Sequence, residues 1–374
     1  MKRTVVHYID SKEFGGAEQM VFTILKCLDR NTWEPVLIYH PYPGISQFIE
    51  KVSELDLKVV SLPEIKNWRD VSSFILFIRE LRHINPSVFH AHIPWHLRCS
   101  YGILCAFIAR VPVIVATVHA YQVIRGQKQT IIQKLISILV DRYIAVSHGI
   151  AKQFKKIIPF QDKVLVIHNG ICIDRFCQAH DYDPLSLMKD KKGLNTILMI
   201  ARMDKYKGYE DLISAAATIP YANFVLVGEG PEKQSFERKV EKLGIKNRVF
   251  FLGYREDIPS LLRSCDLFIL PSLFEGLPLT ILEAMAAEKL VIASHISGID
   301  EIITDGKTGF LVPPKDPETL SSVIKTCISN PDITQKVARA GNTLVKKEFS
   351  AKKMLQGITD LYEELLFKVV NDKR

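Results

Sequence analysis

Several features that would place this chain of 374 residues in a special class are missing from it. Its seven cysteines are odd in number and form no CxxC pair, which predicts reduced thiols in a cytosolic setting and argues against structural zinc or a disulfide framework. The opening residues MKRTVVHYIDS predict a first strand and not a signal peptide. The most apolar stretch, residues 99–118, contains Arg110 and Pro112, so it predicts helix, loop and strand and not a transmembrane helix.

The common nucleophile, phosphate and zinc motifs are also missing from the sequence, which has no GxSxG elbow, Walker loop or HExxH. Positive charge is unevenly placed. Residues 1–170 hold 21 Lys and Arg against 13 Asp and Glu, whereas residues 171–374 hold 28 of each. The basic half indicates either an anionic partner, such as a phospholipid surface, a lipid phosphate or nucleic acid, or a solvated surface with no partner. Nucleic acid is the weakest of these, because no basic stripe is interleaved with aromatic residues.

Short apolar strands alternate with amphipathic helices along the whole chain, as in parallel α/β sheets. Seven strands are expected in the first half and six in the second, with a polar join over residues 171–193. This pattern predicts two Rossmann-like domains, residues 1–175 and residues 176–354. A helical run over residues 351–370 closes the chain.

Residues 125–140 combine an apolar stripe with positive charge. The apolar residues at helical spacing are Ile131, Ile132, Leu135, Ile138 and Leu139, and the positive residues are Arg125, Lys128 and Lys134. A helix of this kind either lies on an anionic membrane surface or packs against the sheet of its own domain.

The stretch FEGLPLTILEA places Glu275 and Glu283 eight positions apart. Pro278 predicts the first position of a helix, with Glu275 in the preceding loop and Glu283 on the second turn. Eight residues at helical rise span about 12 Å, near the length of a sugar diphosphate, and the helix N-terminus favours anions. One carboxylate would hold a sugar hydroxyl, the amides a phosphate and the other carboxylate a ribose. The alternative is two acidic residues that merely flank a helix start.

Candidate ligand contacts follow two strands of the first half. Gly15 and Gly16, in FGGAE, would let the backbone approach a phosphate, although a double glycine is also a common structural turn. His119 follows a strand in ATVHA and is the histidine best placed to meet a ligand. His90 and His92, in VFHAH, are poor metal-ligand candidates because no nearby carboxylate follows them.

Candidate contacts also follow two strands of the second half. Arg202 and Lys207, in ARMDKYKG, can reach beyond a strand end and would neutralise a diphosphate in place of a metal ion. The alternative is a pair of surface cations. Tyr254 and Arg255, in FLGYRED, follow another strand, where backbone groups could hydrogen-bond the edge of a nucleobase.

Taken in order, these motifs resemble those of the retaining glycosyltransferases of family 4. They are GGAE, HAH, ATVH, VSHG, HNGI, R-x4-K, VGEGP, FLGYRED and ILPSLFEGLPLTILEAMA, from residue 4 to about residue 325. The resemblance includes the E-x7-E motif of that family. It implies the GT-B fold, an α/β arrangement of two Rossmann-like domains facing across a deep cleft, with the C-terminal helix 355–374 crossing back to the first domain.

The resemblance also implies roles for individual residues. Glu275 would contact hydroxyls of the donor sugar, as would His119, and Glu283 the ribose. Arg202 and Lys207 would hold the diphosphate. The catalytic residues are then Arg202, Lys207, Glu275 and His119, and the donor-binding residues are Gly15, Gly16, Glu283, Gly276, Leu277, Leu279, Thr280, Tyr254 and Arg255. Ser297–Gly298 and Asp300 depart from the family pattern beside these contacts, which puts loop or acceptor geometry in doubt more than activity.

The implied reaction is transfer of a sugar from a UDP- or GDP-linked donor to an acceptor hydroxyl, with retained configuration and with no metal or other cofactor. The acceptor would be a glycan or a lipid-linked saccharide at the inner face of a membrane, with the enzyme cytoplasmic or peripheral there. Two alternatives stay open. One is a sugar-nucleotide epimerase of the same fold, and the other is a protein that binds nucleotide sugars without catalysis.

Overall fold

The chain folds into two compact units, described here from a computed structural model. The structure describes residues 2–122, 126–177 and 194–371. The first unit comprises Met1–Gly170 with Ala351–Arg374, and the second comprises Ile171–Ser350. Both divisions fall four or five residues before the predicted boundaries. Most of the predicted join, including Pro184 and Gly193, lies outside the described residues.

The first unit contains a seven-stranded sheet in which all the strands run parallel. Its strands are β1 (Arg3–Ile9), β2 (Trp33–Tyr39), β3 (Lys58–Ser61), β4 (Val88–Ile93), β5 (Val113–Val118), β6 (Arg142–Ala145) and β7 (Val164–Val166). Their order across the sheet is β3-β2-β1-β4-β5-β6-β7. The order reverses direction between β1 and β4, which is where open α/β sheets bind ligands.

In the described part of this unit, seven α-helices cover the sheet. They are α1 (Gly16–Cys27), α2 (Ser46–Ser53), α3 (Val71–Ile84), α4 (Ser100–Ala109), α5 (Gln127–Leu139), α6 (His148–Lys155) and, from the end of the chain, α14 (Ala351–Asn371). The rings of Trp33 and Tyr362, on β2 and α14, lie 5.2 Å apart edge to face. This aromatic contact helps to hold the last helix on the first sheet.

The second unit contains a parallel six-stranded sheet in the order β10-β9-β8-β11-β12-β13. Its strands are β8 (Asn195–Ile200), β9 (Ala222–Val227), β10 (Val249–Gly253), β11 (Leu267–Leu270), β12 (Leu290–Ser294) and β13 (Phe310–Val312). Its helices are α7 (Asp174–Cys177), α8 (Tyr209–Ala217), α9 (Lys233–Lys242), α10 (Ile258–Ser264), α11 (Leu279–Ala286), α12 (Pro317–Ser329) and α13 (Pro331–Glu348).

Helices on the faces of a parallel sheet bury its strands from both sides, so the strands are apolar along their length. Every residue of β4, β5, β9 and β12 is buried. The alternation of apolar strands and amphipathic helices in the sequence predicted this burial. The predicted class, two Rossmann-like α/β domains, is confirmed.

Two predicted helix starts differ from the structure. The helix expected at Pro278 begins at Leu279, with Pro278 as its N-cap in an extended conformation. Of the residues from Glu275 to Glu283, only those from Leu279 onward are therefore helical. The distance of about 12 Å between the two glutamates, which assumed helical rise throughout, does not apply. The basic helix expected over residues 125–140 covers Gln127–Leu139, and Arg125 lies outside the described residues.

Candidate active site

The predicted contacts of the second unit lie in loops that follow β8, β10 and β11. Because all six strands run parallel, these loops lie at one edge of the sheet, the carboxyl edge where α/β proteins bind ligands. Arg202 and Lys207 follow β8, Tyr254 and Arg255 follow β10, and Glu275 follows β11. The topology thus brings together residues that lie up to about 70 positions apart in the sequence.

Two glycines allow these loops to pack closely against neighbouring backbone. A Cβ on Gly208, next to Lys207, would lie 1.9 Å from the carbonyl oxygen of Pro271. A Cβ on Gly298 would lie 2.3 Å from the carbonyl oxygen of Gly276. Both glycines also have positive φ, which other residues rarely adopt. Gly298, whose neighbourhood departs from the family pattern, therefore supports the loop that carries Glu275.

The structure joins Lys207 and Glu275 in an ion pair. The Lys207 Nζ donates to Glu275 Oε1 at 2.8 Å, and only 8% of the Glu275 side chain is exposed. The backbone N–H of Leu273 donates to the carbonyl of Tyr206 at 2.7 Å and ties the two loops together beside this pair. The sequence predicted both residues at the site but gave them separate ligand contacts, and their pairing was not foreseen.

Glu283 lies on the second turn of α11, as the sequence predicted, and is partly buried. Burial raises the pKa of Glu283 to about 7, and the positive charge of Arg175 opposes this shift. Arg175 belongs to the short helix α7 at the start of the unit. No sequence spacing linked Arg175 to Glu283, so this partner was missed.

The N-terminus of α11 directs backbone N–H groups into the same region. No side chain of the described residues caps the first turn, and the N-cap, Pro278, has no N–H of its own. The predicted donor contacts Leu279 and Thr280 are the first two residues of this turn, and Gly276 and Leu277 precede the cap. Uncapped N–H groups and the helix dipole make this turn suited to an anion.

The loop after β10 contributes less charge than its sequence suggests. Arg255 makes two hydrogen bonds to the carboxylate of Asp257, from Nε at 2.9 Å and from a terminal nitrogen at 2.6 Å. This bidentate contact holds the pKa of Asp257 below its usual range. The Arg255 guanidinium is thus engaged within its own loop, while Tyr254 is 41% exposed.

In the first unit, the double glycine forms the N-terminus of α1. The carboxylate of Glu18 accepts a hydrogen bond from the Gly15 N–H at 2.7 Å and so caps the helix from within. Burial raises the pKa of Glu18. A Cβ on Gly16 would meet no atom within 4 Å. Among the described residues, packing around position 16 therefore leaves room for a larger side chain.

His119 follows β5 and is partly buried, with its backbone N–H donating to the carbonyl of Ile93. Its Nε2 lies 3.2 Å from Nδ1 of His92. Burial lowers the pKa of His119 to about 3, so the ring is neutral at physiological pH. His92, for which the sequence predicted no role, thus contacts the predicted ligand residue His119.

Comparisons with known proteins agree with this architecture. Residues 14–175 match the family model described as Glycosyltransferase Family 4, and residues 188–343 match the one described as Glycosyl transferases group 1. The fold matches the crystal structure of Anabaena Alr3699/HepE in complex with UDP and glucose, with a TM-score of 0.86 and 22% identity over 97% of this chain and 100% of that one.

Two curated relatives are similar over most of their length. One is the Escherichia coli UDP-Gal:alpha-D-GlcNAc-diphosphoundecaprenol alpha-1,3-galactosyltransferase, 26% identical over 80% of each chain. The other is the Campylobacter jejuni N,N'-diacetylbacillosaminyl-diphospho-undecaprenol alpha-1,3-N-acetylgalactosaminyltransferase, 27% identical over 78% of this chain and 82% of that one.

The two parallel sheets are those of the GT-B fold, which this chain shares with HepE. The first domain matches the Glycosyltransferase Family 4 model, and the second domain matches the Glycosyl transferases group 1 model. The chain belongs to the glycosyltransferases of the family 4 type, and it is an enzyme that transfers sugars.

Proposed function

We propose that this enzyme transfers a sugar from a nucleoside diphosphate sugar to an acceptor hydroxyl with retention of configuration. The observation that carries the proposal is the Lys207–Glu275 ion pair in the loops at the carboxyl edge of the second sheet. A cation, a largely buried carboxylate and the uncapped first turn of α11 match the diphosphate and hydroxyls of such a donor.

Lys207 and Arg202 hold the diphosphate and stabilise the charge that grows on it as the glycosidic bond breaks. Glu275 accepts hydrogen bonds from hydroxyls of the sugar, and Glu283 accepts from the ribose. His119, Gly15 and Gly16 take the roles that the family resemblance gives them, at the sugar and the diphosphate.

The reaction proceeds by front-face attack. The bond from the anomeric carbon to the leaving phosphate oxygen breaks, and a bond to the acceptor oxygen forms on the same face. The acceptor's proton passes to the leaving diphosphate. Positioning and charge stabilisation are then the enzyme's share of catalysis, without a carboxylate nucleophile or a metal ion.

UDP-linked and GDP-linked sugars are the proposed donors, and UDP is the first to test. UDP-, GDP- and ADP-sugars are compared for the rise in melting temperature that they give and for the release of nucleoside diphosphate. We expect one base to give both effects. Donor binding without release in the presence of any acceptor would favour a binding protein, and conversion of the donor sugar without acceptor would favour an epimerase.

A lipid-linked saccharide is the proposed acceptor, because the two named relatives use diphospho-undecaprenol saccharides. The surface of the first unit supports this choice. The helix α5 turns polar Gln133 and Ser137 inward, where both are buried. Ile131, Leu135 and Ile138 are each more than half exposed. Packing on the sheet, the alternative considered for this stripe, does not bury these three residues.

The neighbouring helices add to this apolar surface. α3 exposes Val71 and Ile75, and α4 exposes Phe107. Phe74 of α3 and Tyr101 of α4 are in edge-to-face contact at 5.4 Å, which places the two helices side by side. We call the exposed apolar residues of α3, α4 and α5 the apolar helix face.

Positive charge accompanies the apolar helix face. Residues 69–160 contain twelve Lys and Arg against three Asp and Glu. Lys128 and Lys134 lie three residues before and three residues after Ile131, at helical spacing from it. Among the described residues, no helix has the length and apolar content to cross a bilayer. We therefore propose that the apolar helix face rests on an anionic membrane surface.

Co-sedimentation with liposomes tests the membrane proposal. We expect binding that needs anionic lipid and weakens when Arg125, Lys128 and Lys134 are replaced by Gln. Ile131→Ser with Leu135→Ser should also release the protein, because these residues enter the lipid surface. Ile333→Ser is the matched control, since Ile333 is similarly exposed on α13 of the other unit. Sedimentation unchanged by all of these substitutions would remove the support for a membrane surface.

A further inference from the structure

We propose that His7 and His92 fix the tautomer of His119, so that His119 offers a ring N–H on Nδ1 to the sugar of the donor. The ligand in this statement rests on the proposed function, whereas the hydrogen bonds do not. His7 lies in β1, His92 in β4 and His119 directly after β5, and these strands are neighbours in the order β1-β4-β5.

The three rings form a continuous hydrogen-bonded row. His7 Nδ1 lies 3.0 Å from His92 Nε2, and His92 Nδ1 lies 3.2 Å from His119 Nε2. His7 and His92 are fully buried. The outer nitrogen of the row, His7 Nε2, has no hydrogen-bond partner among the described residues.

All three rings are neutral. Burial lowers the pKa of His7 and of His119 to about 3 and that of His92 well below its ordinary value, and the positive charge of Arg30 lowers the pKa of His7 further. A neutral imidazole carries one N–H, so it donates from one nitrogen and accepts at the other. Two hydrogen bonds between three neutral rings must therefore run in the same direction along the row.

The buried end decides that direction. If the row ran toward His7, that ring would carry its proton on Nε2, where the described part of the chain offers no acceptor. If it runs away from His7, Nε2 is left as a bare lone pair. Both arrangements leave one polar atom unsatisfied, but orphaned buried N–H groups are the rarer of the two. His7 then donates to His92, His92 donates to His119 Nε2, and the proton of His119 lies on Nδ1.

His90 lies beside the row, with its ring stacked on His92 at 4.3 Å between centroids. His90 hydrogen-bonds through Nδ1 to Tyr362 and through Nε2 to Thr117 at 2.7 Å. His7, His90 and His92 lie close enough to be read as metal ligands. Five of their six ring nitrogens already have hydrogen-bond partners, however, which favours a hydrogen-bonded row over a metal site.

The tautomer is measured by nitrogen NMR on the ligand-free protein with ¹⁵N-labelled histidine, whose His119 signals are identified by their loss in His119→Asn. We expect Nδ1 of His119 to carry the proton and Nε2 to be the bare nitrogen. A proton on Nε2 would overturn the proposal even if the enzyme is active. One equivalent of tightly held Zn²⁺ that shifts the signals of His7 and His92 would overturn it as well.

Two substitutions of His92 test the effect on transfer. Asn can still donate an amide N–H from the position of Nδ1, whereas Leu fills the space without a donor. We expect His92→Leu to lose the Nδ1–H tautomer of His119 and about ten- to a hundred-fold in kcat/KM, as for an unmatched polar contact. His92→Asn should keep the tautomer and most of the activity. Equal losses in both variants with an unchanged tautomer would show a purely structural role.

If His92→Leu does not fold, His7→Leu provides a second test of what sets the tautomer of His119. It leaves the His92–His119 contact in place and removes the donor that sets its direction, so the tautomer of His119 should become mixed. An unmixed Nδ1–H tautomer in this variant would contradict the proposal. A protein without transferase activity but with the expected tautomer would contradict the proposed function alone.

Discussion

The two units present their chemistry in different ways. In the second unit, the candidate residues follow strand ends one after another, and the parallel sheet brings them to one edge. In the first unit, the distinctive groups are a buried row of histidines and the apolar helix face, and both depend on packing. Local sequence motifs therefore predict a strand-end site better than they predict the contents of a core or the outward face of a helix.

The largest expected effect is the loss of sugar transfer when the candidate site of the second unit is altered. Lys207→Ala and Glu275→Ala should each reduce transfer by about a hundred-fold or more, as when a group that stabilises transition-state charge is removed. Both variants should stay folded at the assay temperature. Initial rates with the natural donor and melting temperatures give the measurement.

The matched control for this prediction is Arg339→Ala. Arg339 pairs with Glu288 at 3.3 Å, but both side chains are about half exposed or more, so the pair contributes little. Near-normal turnover in Lys207→Ala would contradict the electrostatic account of the second unit.

The next effect compares a glycine of the first unit with one of the second. Gly16→Ala should weaken donor affinity about ten-fold, a loss of roughly 1.4 kcal/mol, with an unchanged melting temperature because its Cβ meets no protein atom. Gly298→Ala should instead lower the melting temperature, because its Cβ meets the carbonyl oxygen of Gly276 at 2.3 Å. Calorimetry of donor binding and thermal unfolding separate the two. Unaltered donor affinity in Gly16→Ala would remove the phosphate role of this turn.

A smaller effect concerns pH and Glu283. Its pKa is about 7 in the folded chain and lower in the unfolded chain, so the folded state binds the extra proton in between. The contribution of Glu283 to the free energy of unfolding is fully present below its unfolded pKa. It is lost as the pH rises through the folded pKa of about 7. Glu283→Gln should therefore exceed the wild type only slightly at pH 5 and most above pH 7, by at most about 3 kcal/mol.

The same carboxylate should affect donor binding in the opposite sense. A ribose hydroxyl donates best to the ionised group, so the affinity of the wild type for the donor should fall as the pH drops below about 7. Glu283→Gln should lose this pH dependence and bind weakly throughout. Denaturant unfolding and donor titrations at pH 5, 7 and 8 test both parts, and a variant with the wild-type pH profile would contradict the role of Glu283.

The smallest expected effect is that of a chelator. If Lys207, Arg202 and the first turn of α11 neutralise the diphosphate, transfer should be the same with and without EDTA. Rates are compared after EDTA treatment and after Mg²⁺ is added back. Loss of activity with EDTA that Mg²⁺ restores would show that these groups do not suffice.

The fold could be predicted from the sequence, and so could the strand ends that the candidate residues follow. The alternation of apolar strands and amphipathic helices requires buried parallel sheets, and glycine, proline and charged residues at strand ends mark the ligand edge. The helix start at Pro278 was placed one residue early, because proline can serve as an extended N-cap as well as a first helical residue.

What could not be predicted depends on contacts between distant segments. The Lys207–Glu275 pair joins residues 68 positions apart, and Arg175 affects Glu283 from a helix over 100 positions away. The apolar spacing of α5 indicated an amphipathic helix, yet spacing does not say which face packs inward. Gln133 and Ser137 are buried there and three aliphatic residues are exposed, the reverse of the usual arrangement.

The central claim, retaining transfer at the Lys207–Glu275 site, is tested most directly by the configuration of the product. Wild type and Lys207→Ala are incubated with an α-linked UDP-sugar and a lipid-linked saccharide acceptor, and the new linkage is read from its anomeric proton by NMR. We predict an α-linked product from the wild type, with one UDP released per transfer, and almost none from the variant. A β-linked product, or equal product from both proteins, would contradict the account.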